Sequence, residues 1–400
     1  MVRDREGGVG PRVLLALAAG ACRPAHEPDS GAPGRASATY ALELPPHFPE
    51  LPGGPPDPAR AELGRLLFHD FRLSVDDARS CGICHEGKKG YTDGFVTAVG
   101  ALGDAHTRNT LSLLNIAWRG PLTWVEPELV DLQQQMQVPL YGRHPVEMGV
   151  DPETLPDRLA GIAVYPPAFA AAWPDEPAPV TMPHVESALL AYEQLIIAGD
   201  TPYDRYLLGD VSALSPDARA GMELFQSARL GCSGCHGGLF FDRPADAAGD
   251  VVSDIPEYAN TGMYDIDGAG GYPPHETGLH ARTGDPADMG RFRVPSLRGV
   301  ADTGPWGHDG SFSSLGAVLD AYARGGRLLV GGPFPGDGAA SPLKDPRITG
   351  FSMSEPERRQ LLAFLESLTD PAANARPFLQ TPWCPDEPDT GDAGCIPVDG

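Results

Sequence analysis

Lysine is almost absent from this 400-residue chain: Lys88, Lys89 and Lys344 are the only ones, and arginine carries nearly all of the positive charge. Against 30 Lys+Arg stand 54 Asp+Glu, a formal net charge of −24. A balance this acidic, with no basic tract, argues against nucleic acid or an anionic membrane surface as a partner. Long apolar runs are missing too, none approaching the ~18 residues of a membrane-spanning helix. Strand-like alternation of apolar and polar residues is scarce. Glycine and proline, by contrast, number 49 and 43, which predicts long ordered loops between few helices. At 41% hydrophobic, the chain can still bury a core, so wholesale disorder is excluded. Its length allows two domains of ordinary size.

Seven cysteines sort by their spacing. Cys81, Cys84 and His85 form CGICH, and Cys232, Cys235 and His236 form CSGCH. CxxCH is the attachment signal of c-type haem. Its two thiols add to the vinyl groups, and the adjacent imidazole becomes a proximal iron ligand. A zinc site built from two CxxC knuckles and a redox dithiol are the competing readings. Neither accounts for a trailing histidine after both pairs. Cys22 follows Arg3, Arg5, Arg12 and a short apolar run from Val13 to Leu17. Residues 1–22 therefore read as a secretory signal, with Cys22 placed like the acylated cysteine of a bacterial lipoprotein. Ala19 stands where such signals usually carry leucine, so plain cleavage is the other reading. Cys384 and Cys395 flank an acidic tail over 376–400 and, in an oxidising compartment, close a disulfide. The expected location is the periplasm, either free or lipid-anchored.

Residues 23–44 are rich in Pro, Ala and Gly and read as a linker. Beyond them the chain echoes itself. Gly64-Arg-Leu-Leu-Phe68 precedes the first CxxCH and Gly221-Met-Glu-Leu-Phe225 precedes the second, each at the end of a helical pattern opened by Pro58 or Pro216. Further helices are expected at 128–137, 184–197, 313–324 and 355–368, the last with a Ser354/Glu357 capping box. The expectation is a mostly α fold of two cytochrome c-like haem domains, over 45–200 and 201–375.

With those motifs, the chain resembles the bacterial di-haem cytochrome c peroxidases, the family that includes MauG. The resemblance runs from about Leu63 to Leu368. It is carried by LGRLLFHDFRLS, TRNTLSLLN and PVEMG in the first half, and by GCSGCHGG, FRVPSLRGVADTGPWGHDGSF and LDAYARGG in the second. It implies that the N-terminal haem meets hydrogen peroxide while the C-terminal haem relays electrons, with a tryptophan between them.

Residue by residue, the resemblance implies His85 as proximal ligand of the first haem. Ala101 falls where ordinary peroxidases of the family carry a displaceable distal histidine, which implies an open iron; His106 lies five residues out of register. The distal acid–base pair maps to Gln135, or Gln134 by a one-residue ambiguity, and Glu147, with YGRH at 141–144 adding two residues between them. A carboxylate suits the proton transfers of O–O cleavage and an amide can orient the peroxide. Trp124 takes the inter-haem position, with Trp118 as competitor. His236 is proximal at the second haem, and Tyr322 its sixth ligand, with Met289 or Met353 as alternatives. A phenolate there favours ferric iron, where a thioether would favour ferrous. Asn109, with the carbonyls of Thr303 and Pro305, maps onto a calcium site, and His308 onto a structural role.

Three functions are consistent with this. One is a di-haem peroxidase fed by a small redox protein, a cytochrome c or a cupredoxin. Another is a MauG-like oxidase of side chains on a partner protein, toward which Ala101 and Tyr322 point. A non-enzymatic electron carrier with two six-coordinate irons is the third.

Overall fold

The computed structural model describes residues 43–246, 250–384 and 395–396. The signal and Cys22, nearly all of the linker, and most of the acidic tail lie outside the described residues.

Asp57 opens the helical structure. Its carboxylate accepts the backbone N–H of Ala59 and of Arg60, capping α1 (Pro58–Phe68), whose leading proline costs no hydrogen bond there. One turn, α2 (Cys81–Cys84), holds the first cysteine pair. Then come α3 (Leu132–Tyr141), α4 (Leu155–Ala160), α5 (Tyr165–Ala172), α6 (Met182–Glu193) and α7 (Pro202–Leu207). The second half contributes α8 (Pro216–Gln226), α9 (His280–Thr283), α10 (Leu315–Arg324) and α11 (Glu355–Glu366). Strand structure among the described residues is two antiparallel pairs of two-residue strands, Tyr258–Ala259 with Phe292–Arg293 and Leu328–Leu329 with Gly336–Asp337. No helix among them is long and apolar enough to cross a membrane.

The fold is mostly helical, as expected, and Ser354 and Glu357 form the anticipated capping box. Helix α3 starts at 132 rather than 128, because the Asp131 carboxylate accepts the Gln134 N–H at 2.8 Å while residues 126–130 spend their backbone bonds in turns. Helices α4, α5 and α7 are absent from the sequence-based expectation. Their prolines sit in the first turn, where the missing N–H is harmless, rather than acting as breakers.

The sequence echo is a packing echo. Helix α1 crosses α6 at Gly64, where an added Cβ would stand 1.9 Å from the Ala188 carbonyl oxygen and 2.8 Å from Tyr192 Cβ. Helix α8 crosses α11 at Gly221 in the same way, 1.9 Å from the Gln360 carbonyl oxygen and 2.9 Å from Phe364 Cβ. One turn on, Phe68 meets Tyr192 with ring centroids 5.0 Å apart, and Phe225 meets Phe364 at 5.2 Å. Each crossing seeds a core. The first gathers Leu63, Leu67, Tyr165, Phe169, Val185 and Leu189; the second gathers Phe241, Leu361, Leu365 and Leu368.

The segment around Leu379 and Trp383 returns to the first core, not the second. Leu379 and Trp383 are buried there, and the Trp383 indole N–H donates to the Leu66 carbonyl at 3.1 Å. The adjacent Cys384 is disulfide-bonded to Cys395, as expected.

Gly64→Ala and Gly221→Ala should each lower stability by about 2–3 kcal/mol, because a carbonyl cannot yield to the new methyl. Gly331 has open space around it, so Gly331→Ala should change stability by less than ~0.5 kcal/mol. Urea unfolding of the three variants, followed by helical circular dichroism, checks the contrast.

Candidate functional site

Each CxxCH closes one backbone turn. The His85 N–H donates to the Cys81 carbonyl at 2.8 Å and the His236 N–H to the Cys232 carbonyl at 2.9 Å. Each imidazole is then fixed from behind. His85 Nδ1 lies 2.9 Å from the Tyr91 carbonyl and His236 Nδ1 lies 3.1 Å from the Phe241 carbonyl. A carbonyl only accepts, so Nδ1 carries the hydrogen and the Nε2 lone pair is left for a metal. Burial pushes both histidines below their ordinary range, which keeps them neutral as ligation requires. The carbonyls are aimed by an unusual backbone: Tyr91 and Phe241 have φ of 59° and 55°, left-handed values that bulky residues rarely adopt.

The zinc reading of the cysteines does not survive this geometry. Among the described residues no three His, Cys, Asp or Glu side chains gather as a metal cluster, so the two pairs do not form a zinc site. A redox dithiol would instead carry acidified thiols. Burial pushes Cys84 and Cys235 up to about 11 and Cys232 up to about 12, and raises Cys81 as well.

The first cavity, about 60 Å³, is lined by Cys81, Cys84, His85, Gln135, Glu147 and His106. Of the glutamines on α3, Gln135 lines it. Gln134 does not, and Gln133 and Gln137 instead donate to Glu186, which also accepts the Tyr141 hydroxyl. The two extra residues over 141–144 leave Arg143 and His144 exposed, away from the cavity lining. Burial pushes Glu147 up to about 7. Ala101 is buried, its N–H shared between the Val146 and Glu147 carbonyls, each at 2.9 Å. His106 Nε2 stands 3.6 Å from Glu147 Oε1. Glu193 also lines this cavity and was not anticipated: its Oε2 is buried without a hydrogen-bond partner, and burial pushes it up to about 8. Glu186, seven residues earlier, is buried on the same face of α6, so the helical pattern alone does not single Glu193 out.

The second cavity, about 270 Å³, is larger. His236, both cysteines of its motif, Tyr322 and Trp124 line it. No hydrogen bond engages the Tyr322 hydroxyl among the described residues, and burial beside the two thiols raises its pKa. Neither Met289 nor Met353 reaches the lining, but Met263, unnoticed in the sequence, does. Trp124 donates its indole N–H to the Asn109 carbonyl at 2.8 Å, and Asn109, Thr303 and Pro305 line the same cavity. The competing Trp118 bonds the Glu50 carbonyl and stacks on Phe240, lining neither cavity. His308 is buried against Phe292 with ring centroids 3.6 Å apart, and its Nε2 lacks a partner.

The residues that line both cavities suit a haem. Arg119, Arg293 and Arg298 line the second, and each has a buried side-chain nitrogen without a hydrogen-bond partner: Nε, Nη1 and Nη2 respectively. Burial and the neighbouring Arg119 charge lower Arg293 to about 9. Asp242 and Asp204 already pair with Arg119 and Arg298, so it is the leftover nitrogens of these two, with Arg293, that the carboxylates of a porphyrin would match. Arg79, with an unpartnered buried Nε, offers the same at the first cavity. The donor sets supply two thiols and one imidazole per haem, and a facing phenol only at the second.

Comparison with known proteins agrees. The family model described as di-haem cytochrome c peroxidase matches residues 58–212. The methylamine utilization protein MauG of Methylorubrum extorquens is 34% identical over 337 residues, 84% of this chain and 85% of that protein. Cytochrome c551 peroxidase of Pseudomonas aeruginosa is 31% identical over 72% of this chain and 78% of its own. Among solved structures, a MauG-like protein associated with microbial copper homeostasis superposes with a TM-score of 0.81 at 38% identity, covering 86% of this chain and all of that one.

The double variant Cys232→Ser/Cys235→Ser should retain one covalent haem per chain in place of two. Pyridine haemochrome absorbance of the acid-acetone-washed protein, set against protein concentration, measures this.

Proposed function

Since this chain belongs to the di-haem cytochrome c peroxidase family, we propose that it reduces hydrogen peroxide at the first cavity with electrons relayed through the second. The observation that carries this is the meeting of Gln135 and Glu147 with the first CxxCH on one cavity wall. Residues 45–200 form the peroxidatic half and 201–375 the electron-transfer half, each a cytochrome c-like unit.

When bound, haem supplies at each site a redox-active iron, held by His85 in the first half and by His236 with Tyr322 in the second. Glu147 takes the proton from one peroxide oxygen and returns it to the other, so that the O–O bond breaks with water as leaving group. A carboxyl near 7 holds and releases that proton with comparable ease. The Gln135 amide orients the peroxide. The overall change consumes two electrons and two protons per peroxide and yields two waters. Trp124, bonded to the Asn109 carbonyl on the wall of the second cavity, is the relay between the halves. Calcium held by the Asn109 side chain and the carbonyls of Thr303 and Pro305 would stiffen that wall, since oxygen donors suit the ion.

The electrons come from a small redox protein, a cytochrome c or a cupredoxin. A net charge of −24 favours a basic donor and predicts rates that fall with salt. The periplasm, with Cys22 as an anchoring residue, is the compartment we assign. A second reading, oxidation of side chains on a partner protein, is favoured by Ala101 in place of a distal histidine and by Tyr322 on the wall of the second cavity. The likeness to MauG and to the MauG-like structure adds to it.

Two measurements check this function. Because the base form of Glu147 accepts the proton, the peroxide reaction should accelerate as pH rises through about 7. Glu147→Gln should remove that rise and slow the reaction roughly 100- to 1,000-fold. The ferric EPR signal of the holoenzyme should be lost on one equivalent of peroxide without prior reduction. A requirement for reduction first would instead place a sixth ligand on the first iron and discard the side-chain oxidase reading.

A further inference from the structure

Glu147, acting as above, returns the proton it takes and so supplies none. The two protons that accompany the two electrons must enter the first cavity from water. His106 stands where such protons would pass. Its ring lines the cavity and its Nε2 is 3.6 Å from Glu147 Oε1, while its neighbours Gly103, Asp104, Ala105 and Thr107 are all exposed.

The surrounding backbone holds it there. Val99 and Ala105 pair across a tight loop, and the His106 N–H donates to the Ala98 carbonyl at 2.9 Å. That loop is clamped to the Glu147 segment. Gly100 presses so close to Val146 that a Cβ would stand 2.1 Å from its carbonyl oxygen, and the Ala101 N–H bonds the Val146 and Glu147 carbonyls. Loop and carboxylate thus form one rigid unit, and the imidazole is presented to the carboxylate by main-chain bonds.

We propose that His106 is a positioning residue that relays protons from solvent to the Glu147 carboxylate. The assignment rests on the peroxidase reading for its chemistry but not for its geometry. Burial lowers the imidazole's pKa, with Asp93 opposing and Arg108 assisting. A neutral imidazole can take a proton from water at one nitrogen and give one up at the other. The other titratable or charged groups lining the cavity with Glu147 are Arg79, Cys81, Cys84, His85 and Glu193. None of the five offers a comparable path: the thiols are consumed by haem attachment, His85 is the proximal ligand, Arg79 does not release its proton, and Glu193 is buried.

The test uses the holoenzyme and the variants His106→Gln and His106→Asn, each first confirmed to carry two covalent haems. Either side chain leaves the backbone clamp intact, so one folded variant suffices. The first readout is the EPR spin state of the ferric first haem, expected unchanged. A switch from low to high spin in the variant would make His106 an iron ligand and overturn the relay. The second is the rate of peroxide reduction at pH 7, expected to fall about tenfold. In the variants alone, that rate should climb with phosphate concentration as the buffer replaces the missing relay. An unchanged rate without buffer dependence overturns the proposal. The third is cyanide binding, in which hydrogen cyanide must surrender its proton to the same carboxylate. Wild-type protein that binds cyanide but consumes no peroxide ends the peroxidase reading alone. The buffer dependence of cyanide binding in the variants then decides the relay by itself.

Discussion

One hydrogen bond in each half governs what the rest of the structure can be: the bond from a histidine Nδ1–H to a main-chain carbonyl a few residues downstream. It turns each imidazole toward its cavity and fixes which nitrogen is left bare. To aim the carbonyl, the chain must take a left-handed step at Tyr91 and at Phe241, a conformation with a cost of order 1–3 kcal/mol for such residues. The aromatic rings themselves offset that cost. Phe241 is buried among Tyr203, Phe225 and Phe364, and Tyr91 lies within the first core. A glycine would adopt the backbone freely but would leave nothing to hold it there. The cores seeded at Gly64 and Gly221 are therefore what keep the two imidazoles in place.

The charge distribution follows the same logic at longer range. A chain with only three lysines keeps its cations as arginines and spends several inside. Arg119, Arg293 and Arg298 are buried around the second cavity, where Asp242 pairs with Arg119 and Asp204 with Arg298. Arginine suits this duty because its guanidinium stays charged and its fork of donors can serve a protein carboxylate and a ligand carboxylate at once. The surface is left strongly acidic, so the molecule presents one sign of charge to other proteins and the opposite sign to its own interior ligand.

How far the sequence discloses this depends on the kind of residue. The CxxCH motifs are legible because covalent chemistry demands fixed spacing. The helix pairs are legible because their prolines, caps and apolar periods are local. Glu147 and Gln135 could be singled out by resemblance, yet only the fold separates Gln135 from Gln134, by sending Gln133 and Gln137 to Glu186. Met263, Glu193 and the three arginines escaped notice for a common reason. They reach the cavities from loops or helix faces whose approach is set by tertiary packing, and nothing in their neighbours' identities marks that approach. His106 is intermediate: as an out-of-register ligand it looked unpromising, and only the clamp between its loop and Val146 places it beside Glu147.

The burial of Leu379 and Trp383 in the first core has a consequence for the order of events during biogenesis. The peroxidatic half is encoded first, but its core is completed by nearly the last described residues of the chain, through the bond from Trp383 to Leu66. The second half needs no such late arrival, since its core is supplied from Phe225 to Leu368. A nascent chain therefore finishes its electron-transfer unit while its peroxide-handling unit is still ajar.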